Sequence, residues 1–297
     1  MNWIFLSLAA PFFWAGSNFI DKYILEKHIK GIFDFLFFTT LTNWVFFFGI
    51  FLFIGMPTFS WNTLIPISTG LVLVYSYGFY GKALQQSDTS ALVILFKLVP
   101  VITLALAFIF LGQSLAPHEL FGFFVVLCGA FLMSFEKSTG KFFKGFWMIL
   151  VAIVIWSVMT LVVDFGLTTM SFWEYFMLDN LGSALAGLTL LATSSLRAQI
   201  SEGIRSANIK KYFWFSINGL LDFFGQMSIK MALAIAPSAG LVMAVTQVQS
   251  FYAILIGIFA TILLPNIIRE DISKTTLMKK VFGASVMFAG IFFILVL

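Results

Sequence analysis

The sequence predicts an all-α integral membrane protein with ten transmembrane helices, arranged as two inverted five-helix repeats. Three observations predict this fold class: an apolar composition, ten apolar segments of membrane-spanning length, and basic residues confined to alternate connectors. Hydrophobic residues make up 61% of the 297 positions and charged residues only 10%, whereas soluble domains average about 45–50% and about 25%. A water-soluble fold of this size has no means of burying so much apolar surface, so the composition indicates a lipid environment.

Each membrane-spanning helix needs about 20 mostly apolar residues. In chain order the predicted spans are residues 3–23, 35–55, 64–85, 90–112, 118–135, 145–167, 173–193, 212–235, 238–262 and 280–297. The longest connector covers roughly residues 194–211, and none is long enough for a soluble domain.

The basic residues are distributed unevenly between the connectors. Fourteen of the 17 Lys and Arg residues lie in or at the edges of connectors on one predicted side of the membrane. The other connectors and both termini carry none, and the remaining three, Lys82, Lys97 and Lys230, lie inside predicted spans. Because basic loops stay in the cytoplasm, we expect a multi-pass protein of the plasma (inner) membrane with both termini outside. The net charge of +4 is then a topology signal and does not indicate a nucleic-acid partner.

Similar segments recur about half a chain apart. A shift of 142 residues aligns Trp14 with Trp156, Asn18 with Thr160 and Lys22 with Asp164. The repeat predicts two halves, residues 1–140 and 141–297, of five spans each. Because five is an odd number, the halves must have opposite orientations, which is the inverted-repeat plan of many secondary transporters.

Two segments resemble a known family. Residues 13–20, Phe-Trp-Ala-Gly-Ser-Asn-Phe-Ile, resemble the opening Trp-Gly-x-Asn-Phe signature of EamA-type members of the drug/metabolite transporter superfamily. Residues 98–133, LVPVITLALAFIFLGQSLAPHELFGFFVVLCGAFLM, resemble the fourth and fifth helices of that family. Two positions depart from the family pattern: Gln113 replaces an acidic residue, and no proline occurs near residues 247–249. The resemblance implies a basket of ten helices, a central cavity lined by helices 1, 3, 4, 6, 8 and 9, and alternating access, but it does not fix the substrate.

Polar residues inside the predicted spans form the candidate site. Charged groups at membrane depth are costly and normally face protein or a water-filled cavity. Polar stripes at helical spacing mark helices 1, 6 and 8, and Lys97 and Asp222 lie at similar depth near the predicted midplane. The predicted substrate-binding residues are Trp14, Asn18, Tyr75, Tyr80, Lys97, Trp156, Thr160, Asn218, Asp222, Gln226 and Gln247. The predicted coupling or gating residues are Asp222, Asp164, Asp179 and Lys230.

Structural interpretations of the same residues stay open. Lys97 and Asp222 can form an ion pair with no role in binding, and Lys230 can extend toward the headgroups. Asp21 and Lys22 are interpreted mainly as marking the end of the first helix. The two tryptophans can serve packing alone.

The sequence therefore predicts a secondary transporter of a small polar organic metabolite, an amino acid or similar zwitterion, driven by a solute or proton gradient. Lys97 would attract a carboxylate and Asp222 an ammonium group. The alternative substrate is an organic cation, such as choline or a polyamine, or a drug. A membrane-embedded transferase is disfavoured because no cluster of acids, His or metal ligands marks one membrane face. We expect no enzyme activity, no cofactor and no metal, and a monomer whose partners are its solute and the bilayer.

Overall fold

The computed structural model describes residues 2–111, 116–136, 141–236, 242, 245–265 and 270–295. These residues are almost entirely helical, apart from a 3-10 turn at Trp61–Thr63 and a pair of two-residue strands, Phe135–Glu136 and Lys141–Phe142. In the described ranges the helices are α1 (Trp3–Lys27), α2 (Ile32–Ile54), α3 (Leu64–Leu84), α4 (Thr89–Leu95), α5 (Leu98–Leu111), α6 (Pro117–Ser134), α7 (Phe146–Thr169), α8 (Phe172–Leu190), α9 (Ser194–Arg205), α10 (Ile209–Ile235), α11 (Gln249–Leu263) and α12 (Lys274–Leu295). The predicted all-α class is confirmed. Gln113 and most of the start of the predicted ninth span lie outside the described residues.

Five helical segments are each long and apolar enough to cross a membrane: Trp3–Lys27, Ile32–Ile54, Trp61–Leu84, Phe146–Thr169 and Lys274–Phe293. A sixth is added if α8 and α9, which meet at an angle of 105°, count as one span. Three further apolar segments are shorter: Thr89–Thr103, which comprises α4 and the start of α5, Leu120–Leu132 within α6, and Gln249–Leu263. The structure therefore describes a membrane protein with several spans, and the full ten-span plan stays a prediction.

One predicted helix end is wrong. The first span was expected to end near residue 23, but α1 continues to Lys27, so Asp21 and Lys22 do not mark its end. Two further features were not predicted. The connector 194–211 contains the amphipathic helix α9, and the fourth span is interrupted at Phe96 and Lys97, between α4 and α5.

Polar side chains define where several helices begin. The Asn2 side chain accepts a hydrogen bond from the Ile4 amide at 3.0 Å, and Asn208 does the same for Lys211 at the start of α10. Ser171 and Glu174 form a reciprocal capping box at the start of α8. These bonds satisfy amide groups that have no partner within the helix.

Glycines allow α3 and α8 to approach closely. A Cβ at Gly70 would collide with the Asp179 carbonyl, and one at Gly182 would collide with the Ile67 carbonyl. Ser183 Oγ donates to the Gly70 carbonyl at 3.0 Å across the same interface. Small residues and interhelical hydrogen bonds are what hold helices together in lipid, where the hydrophobic effect gives no preference for helix over lipid contact.

The outer surface carries large apolar side chains. Leu52 and Phe53 on α2 are 81% and 91% exposed, and Ile262 and Leu263 on α11 are also largely exposed. In contrast, Asp34, Lys97 and Lys211 are almost completely buried. Apolar residues outside and charges inside agree with a lipid environment.

Two breaks in helical structure lie next to each other. The first is at Phe96 and Lys97, and the second is a turn at Gln247 and Val248 just before α11. Lys97 Nζ donates a 2.6 Å hydrogen bond to the Gln247 carbonyl, so the side chain at one break satisfies backbone exposed at the other. Both segments face the cavity described below.

Candidate functional site

A large cavity lies among α1, α3, α5, α7, α8, α10 and the break before α11. It encloses about 1250 Å³, including its open mouth. Nine of the predicted site residues line it: Trp14, Asn18, Trp156, Thr160, Asp179, Asp222, Gln226, Lys230 and Gln247. Its wall also includes residues that were not among the predicted site residues, of which the polar and aromatic ones are Ser17, Asp21, Tyr77, Phe96, Thr246 and Gln249.

Two carboxylates lie on this wall without a cation beside them. Asp21 is 6% exposed and accepts a 2.7 Å hydrogen bond from Asn218 Nδ2. Asp222 accepts a 3.3 Å hydrogen bond from the Tyr77 hydroxyl. No salt bridge reaches either carboxylate from any residue that the structure describes. When both are ionised, these carboxylates give the cavity an excess of negative charge.

A third carboxylate, Asp179, is fully engaged. Its Oδ2 contacts Lys230 Nζ at 2.6 Å, and its Oδ1 accepts from Thr69 Oγ1 at 2.9 Å. Thr69 Oγ1 also lies 3.0 Å from the Tyr175 hydroxyl. Both members of the ion pair are nearly inaccessible to solvent. The network joins α3, α8 and α10 at one side of the cavity.

Aromatic side chains form the remaining wall. Trp156 Nε1 donates to Ser76 Oγ at 2.7 Å, which fixes the indole orientation. Its ring lies 5.1 Å from the Phe96 ring and 6.5 Å from the Tyr77 ring. Trp14 lies against Gly225, where a Cβ would collide with the indole. The repeat-related tryptophans thus both face the same space.

Lys97 and Asp222 do not form a salt bridge in the described part of the chain. Lys97 is 1% exposed, and besides the Gln247 carbonyl its ammonium group lies 5.0 Å from the Phe288 ring and 5.6 Å from the Phe251 ring. Lys97 therefore does not reach the cavity surface. A broken helix exposes a strong backbone acceptor, which explains why the ammonium group is satisfied without a carboxylate.

Four other predicted residues also lie outside this cavity. The Tyr75 hydroxyl bonds Thr189 at 2.6 Å on an exposed part of α3, and Asp164 is exposed on α7. Tyr80 is buried and donates to Asn18 Oδ1 at 2.9 Å. Asn218 lines a smaller adjoining chamber.

Ion pairs join two helices at the end of the bundle where the basic connectors lie. Lys280 Nζ contacts Asp88 at 2.9 Å and Glu270 at 3.0 Å, and the Ser90 amide donates to Glu270 at 2.9 Å. Nearby, in the connector before α12, hydrogen bonds from Thr276 and Ser273 lower the pKa of Asp271 to about 2. These contacts tie α4 to α12 and the preceding connector.

A comparison with protein families identifies a match in the first part of the chain. Residues 1–135 match the EamA-like transporter family, which belongs to the drug/metabolite transporter superfamily. The predicted family is confirmed over these residues. EamA-like proteins are integral membrane transporters, so the match supports the predicted transporter class. The match covers the first predicted repeat, including the Trp14 and Asn18 signature and all of helices α1 to α6.

Structural comparison extends the likeness over the rest of the chain. A solved structure titled "Crystal structure of protein" aligns with a TM-score of 0.55 and 13% identity, covering 96% of this chain and 95% of that one. At this identity the likeness concerns the fold alone. No curated protein matches the EamA-like chain.

Asp21 and Tyr77 are two of the cavity residues that sequence reasoning missed. Asp21 was recognised in the polar stripe of helix 1, seven positions after Trp14, but was assigned to a helix end. Extending the helix to Lys27 places Asp21 two turns inside it. The stripe itself was the correct signal.

Proposed function

We propose that this EamA-like protein is a secondary transporter for small organic solutes that carry an ammonium group. The main observation behind this proposal is that Asp21 and Asp222 line the same cavity. Neither carboxylate forms a salt bridge with any residue that the structure describes. An uncompensated buried carboxylate is costly, and a bound cation would relieve that cost. Tyr77, Phe96 and the two tryptophans surround the same space, and aromatic faces attract organic cations.

Two features favour an organic cation as the solute over the zwitterion that the sequence predicts. Lys97, the expected carboxylate partner, lies behind the cavity wall on the Gln247 carbonyl. Lys230 does line the cavity, but Asp179 already neutralises it. Three carboxylates and one ammonium group thus face the solute.

A zwitterionic solute is the second candidate, favoured by Asn18. Its Nδ2 is buried on the cavity wall and has no hydrogen-bond partner in the described structure. Buried donors are nearly always satisfied, and a carboxylate oxygen of a bound amino acid would satisfy this one.

The proposed mechanism is alternating access by two inverted five-helix repeats, residues 1–140 and 141–297, in a monomer of the plasma membrane. The basic end would face the cytoplasm, and the Lys280 network joins α4 to α12 there. The solute's own gradient or an ion gradient would drive transport.

Uptake into proteoliposomes tests this function. Labelled choline, putrescine and a neutral amino acid should be compared, and we expect saturable uptake of an ammonium compound. Asp21→Asn and Asp222→Asn should each lower uptake by about tenfold or more, since a hydrogen bond to a charged group contributes about 1.5–3 kcal/mol.

Asp271→Asn is the matched control, because Asp271 lies in an exposed connector. Melting temperatures would confirm that all three variants fold. Normal uptake by both cavity variants would contradict the assignment of the carboxylates. Stronger uptake of the amino acid, lost in Asn18→Leu, would favour the zwitterion instead.

A further inference from the structure

A second, smaller chamber adjoins the main cavity on the side of α2. It lies between α1, α2, α3, α8 and α10, and shares Asp21, Asp179 and Asp222 with the cavity. About 30 Å³ is open to a water-sized sphere, which is room for about two water molecules. The chamber is therefore too small for an organic solute.

Three hydroxyl groups in the wall of the chamber donate their hydrogens to backbone carbonyls. Thr39 Oγ1 donates to the Phe35 carbonyl at 3.0 Å, and Thr42 Oγ1 donates to the Thr39 carbonyl at 2.9 Å. Ser183 Oγ donates to the Gly70 carbonyl at 3.0 Å. A hydroxyl has a single hydrogen and two lone pairs, so these three groups offer the chamber only acceptors.

The amides of the wall are oriented in the same way. Asn43 Nδ2 donates to the Thr39 carbonyl at 3.2 Å, and Asn180 Nδ2 donates to the Phe176 carbonyl at 2.7 Å. Each amide nitrogen thus places one of its two hydrogens on its own helix. Its carbonyl oxygen remains available to a ligand.

Close helix packing brings these oxygens together. A Cβ at Gly219 of α10 would collide with the Thr42 side chain, so only glycine allows α10 to come this near to α2. Asn218, the preceding residue, bonds Asp21 at 2.7 Å and accepts from Ser17 at 2.9 Å. The chamber is consequently a small space with neutral oxygens on one side and two uncompensated carboxylates on the other.

We infer that this chamber binds a small monovalent metal cation, Na⁺, as the coupling ion of transport. Hard cations are held by carboxylate, amide and hydroxyl oxygens, and an acceptor-lined space of this size suits an alkali ion. Mostly neutral ligands favour a single charge and reversible binding. Because Asp21 and Asp222 face both spaces, Na⁺ and a cationic solute would compete for the same negative charge. This competition would link the two binding events with opposite sign, which favours exchange of the ion for the solute.

The coupling role rests on the proposed transport function, but ion binding does not, so binding is tested first. The melting temperature of the purified protein, without any organic solute, should be measured against NaCl concentration. Ionic strength should be held constant with the chloride of N-methyl-D-glucamine. A ligand that binds only the folded state raises the melting temperature in a saturable way, and we expect this rise with Na⁺ but not with K⁺, Mg²⁺ or Ca²⁺.

Thr42→Val and Ser183→Ala remove one oxygen each, and each should weaken Na⁺ binding by about tenfold or more. Thr40→Val is the matched control: Thr40 is on the same helix, bonds the Phe37 carbonyl at 2.7 Å and packs against Gly187, away from the chamber. If Thr42→Val fails to fold, Thr39→Val replaces it. The control should keep the apparent Kd of the unaltered protein.

Three results would overturn the inference: equal responses to Na⁺ and K⁺, a response to pH or divalent cations only, or an unchanged Kd in both chamber variants. Solute uptake with Na⁺ replaced by N-methyl-D-glucamine then tests coupling, and uptake that persists at the full rate would refute it. Intact Na⁺ binding in a protein that moves none of the tested solutes would count against the transport proposal alone.

Discussion

Buried charged side chains in this bundle differ in what compensates them. Lys211 and Lys230 each meet an aspartate, at 2.7 and 2.6 Å. Lys97 meets a backbone carbonyl and two aromatic rings. Asp21 and Asp222 meet only neutral donors within the described residues. The three lysines have partners within the protein, whereas the carboxylates of Asp21 and Asp222 have no cation beside them. The site is assigned to these two carboxylates for this reason.

We expect the Asp179–Lys230 pair to contribute mainly to the stability of the fold. Removing one partner of a buried pair leaves an unmatched charge and costs about 3–5 kcal/mol, whereas replacing both with apolar residues is often neutral. Lys230→Met should therefore lower the stability strongly, and Lys230→Met with Asp179→Leu should restore most of it. Thermal unfolding in detergent would measure both.

The exposed pair of Lys22 and Glu26, at 3.1 Å on one face of α1, supplies the control. Glu26→Gln should change stability by less than about 1 kcal/mol, as is usual for surface pairs. A double variant as unstable as Lys230→Met would show that the two side chains do not act as a pair.

At the scale of whole elements, two helices are discontinuous and one turns sharply. The breaks at Phe96–Lys97 and Gln247–Val248 lie 151 positions apart, close to the shift that relates the two halves. The first break has a local cause, because Pro100 has no N–H to bond the Phe96 carbonyl and its ring crowds that carbonyl. The second break contains neither glycine nor proline. The α8–α9 bend of 105° follows Ala192 and Thr193, where the apolar span gives way to a polar amphipathic helix.

The α3–α8 contact gives a prediction at this scale. Gly70→Ala would place a methyl group against the Asp179 carbonyl, and overpacking of this kind costs about 1–3 kcal/mol. The melting temperature should fall, and Gly182→Ala should act similarly from the other helix.

Gly49 of α2 is the matched control because a Cβ there meets no atom within 4 Å. In a helix interior alanine is favoured over glycine by about 0.5–1 kcal/mol. Gly49→Ala should therefore be neutral or stabilising. Equal destabilisation by Gly49→Ala and Gly70→Ala would mean that close packing is not the cause.

For the whole molecule, the distribution of basic residues predicts the orientation. Single cysteines near Met1 and Leu297 should react with an impermeant reagent in intact cells, because both termini are expected outside. The background must be Cys128→Ser, since Cys128 is exposed on α6. Labelling that requires permeabilised membranes would reverse the orientation.

Many positions of the site were predictable because they repeat on one helix face. Asp222 and Gln226 lie one turn apart on α10, and Trp14 and Trp156 are related by the internal repeat, so their common direction follows from helix geometry alone. Asp21 was misjudged because helix ends are poorly marked where an apolar span passes into polar residues. The α9 helix was missed, although Leu196, Ile200 and Ile204 recur every four residues.

The sequence by itself determined the helical class, the membrane setting and the family, because each depends on composition and periodicity, which are set by the surrounding lipid. Only the tertiary structure decided which charges meet. Lys97 and Asp222 lie at similar predicted depth, yet Lys97 is satisfied by the Gln247 carbonyl, 150 residues away in the chain. Pairing depends on the rotation of each helix about its axis, and this rotation arises from packing between helices that are distant in the sequence.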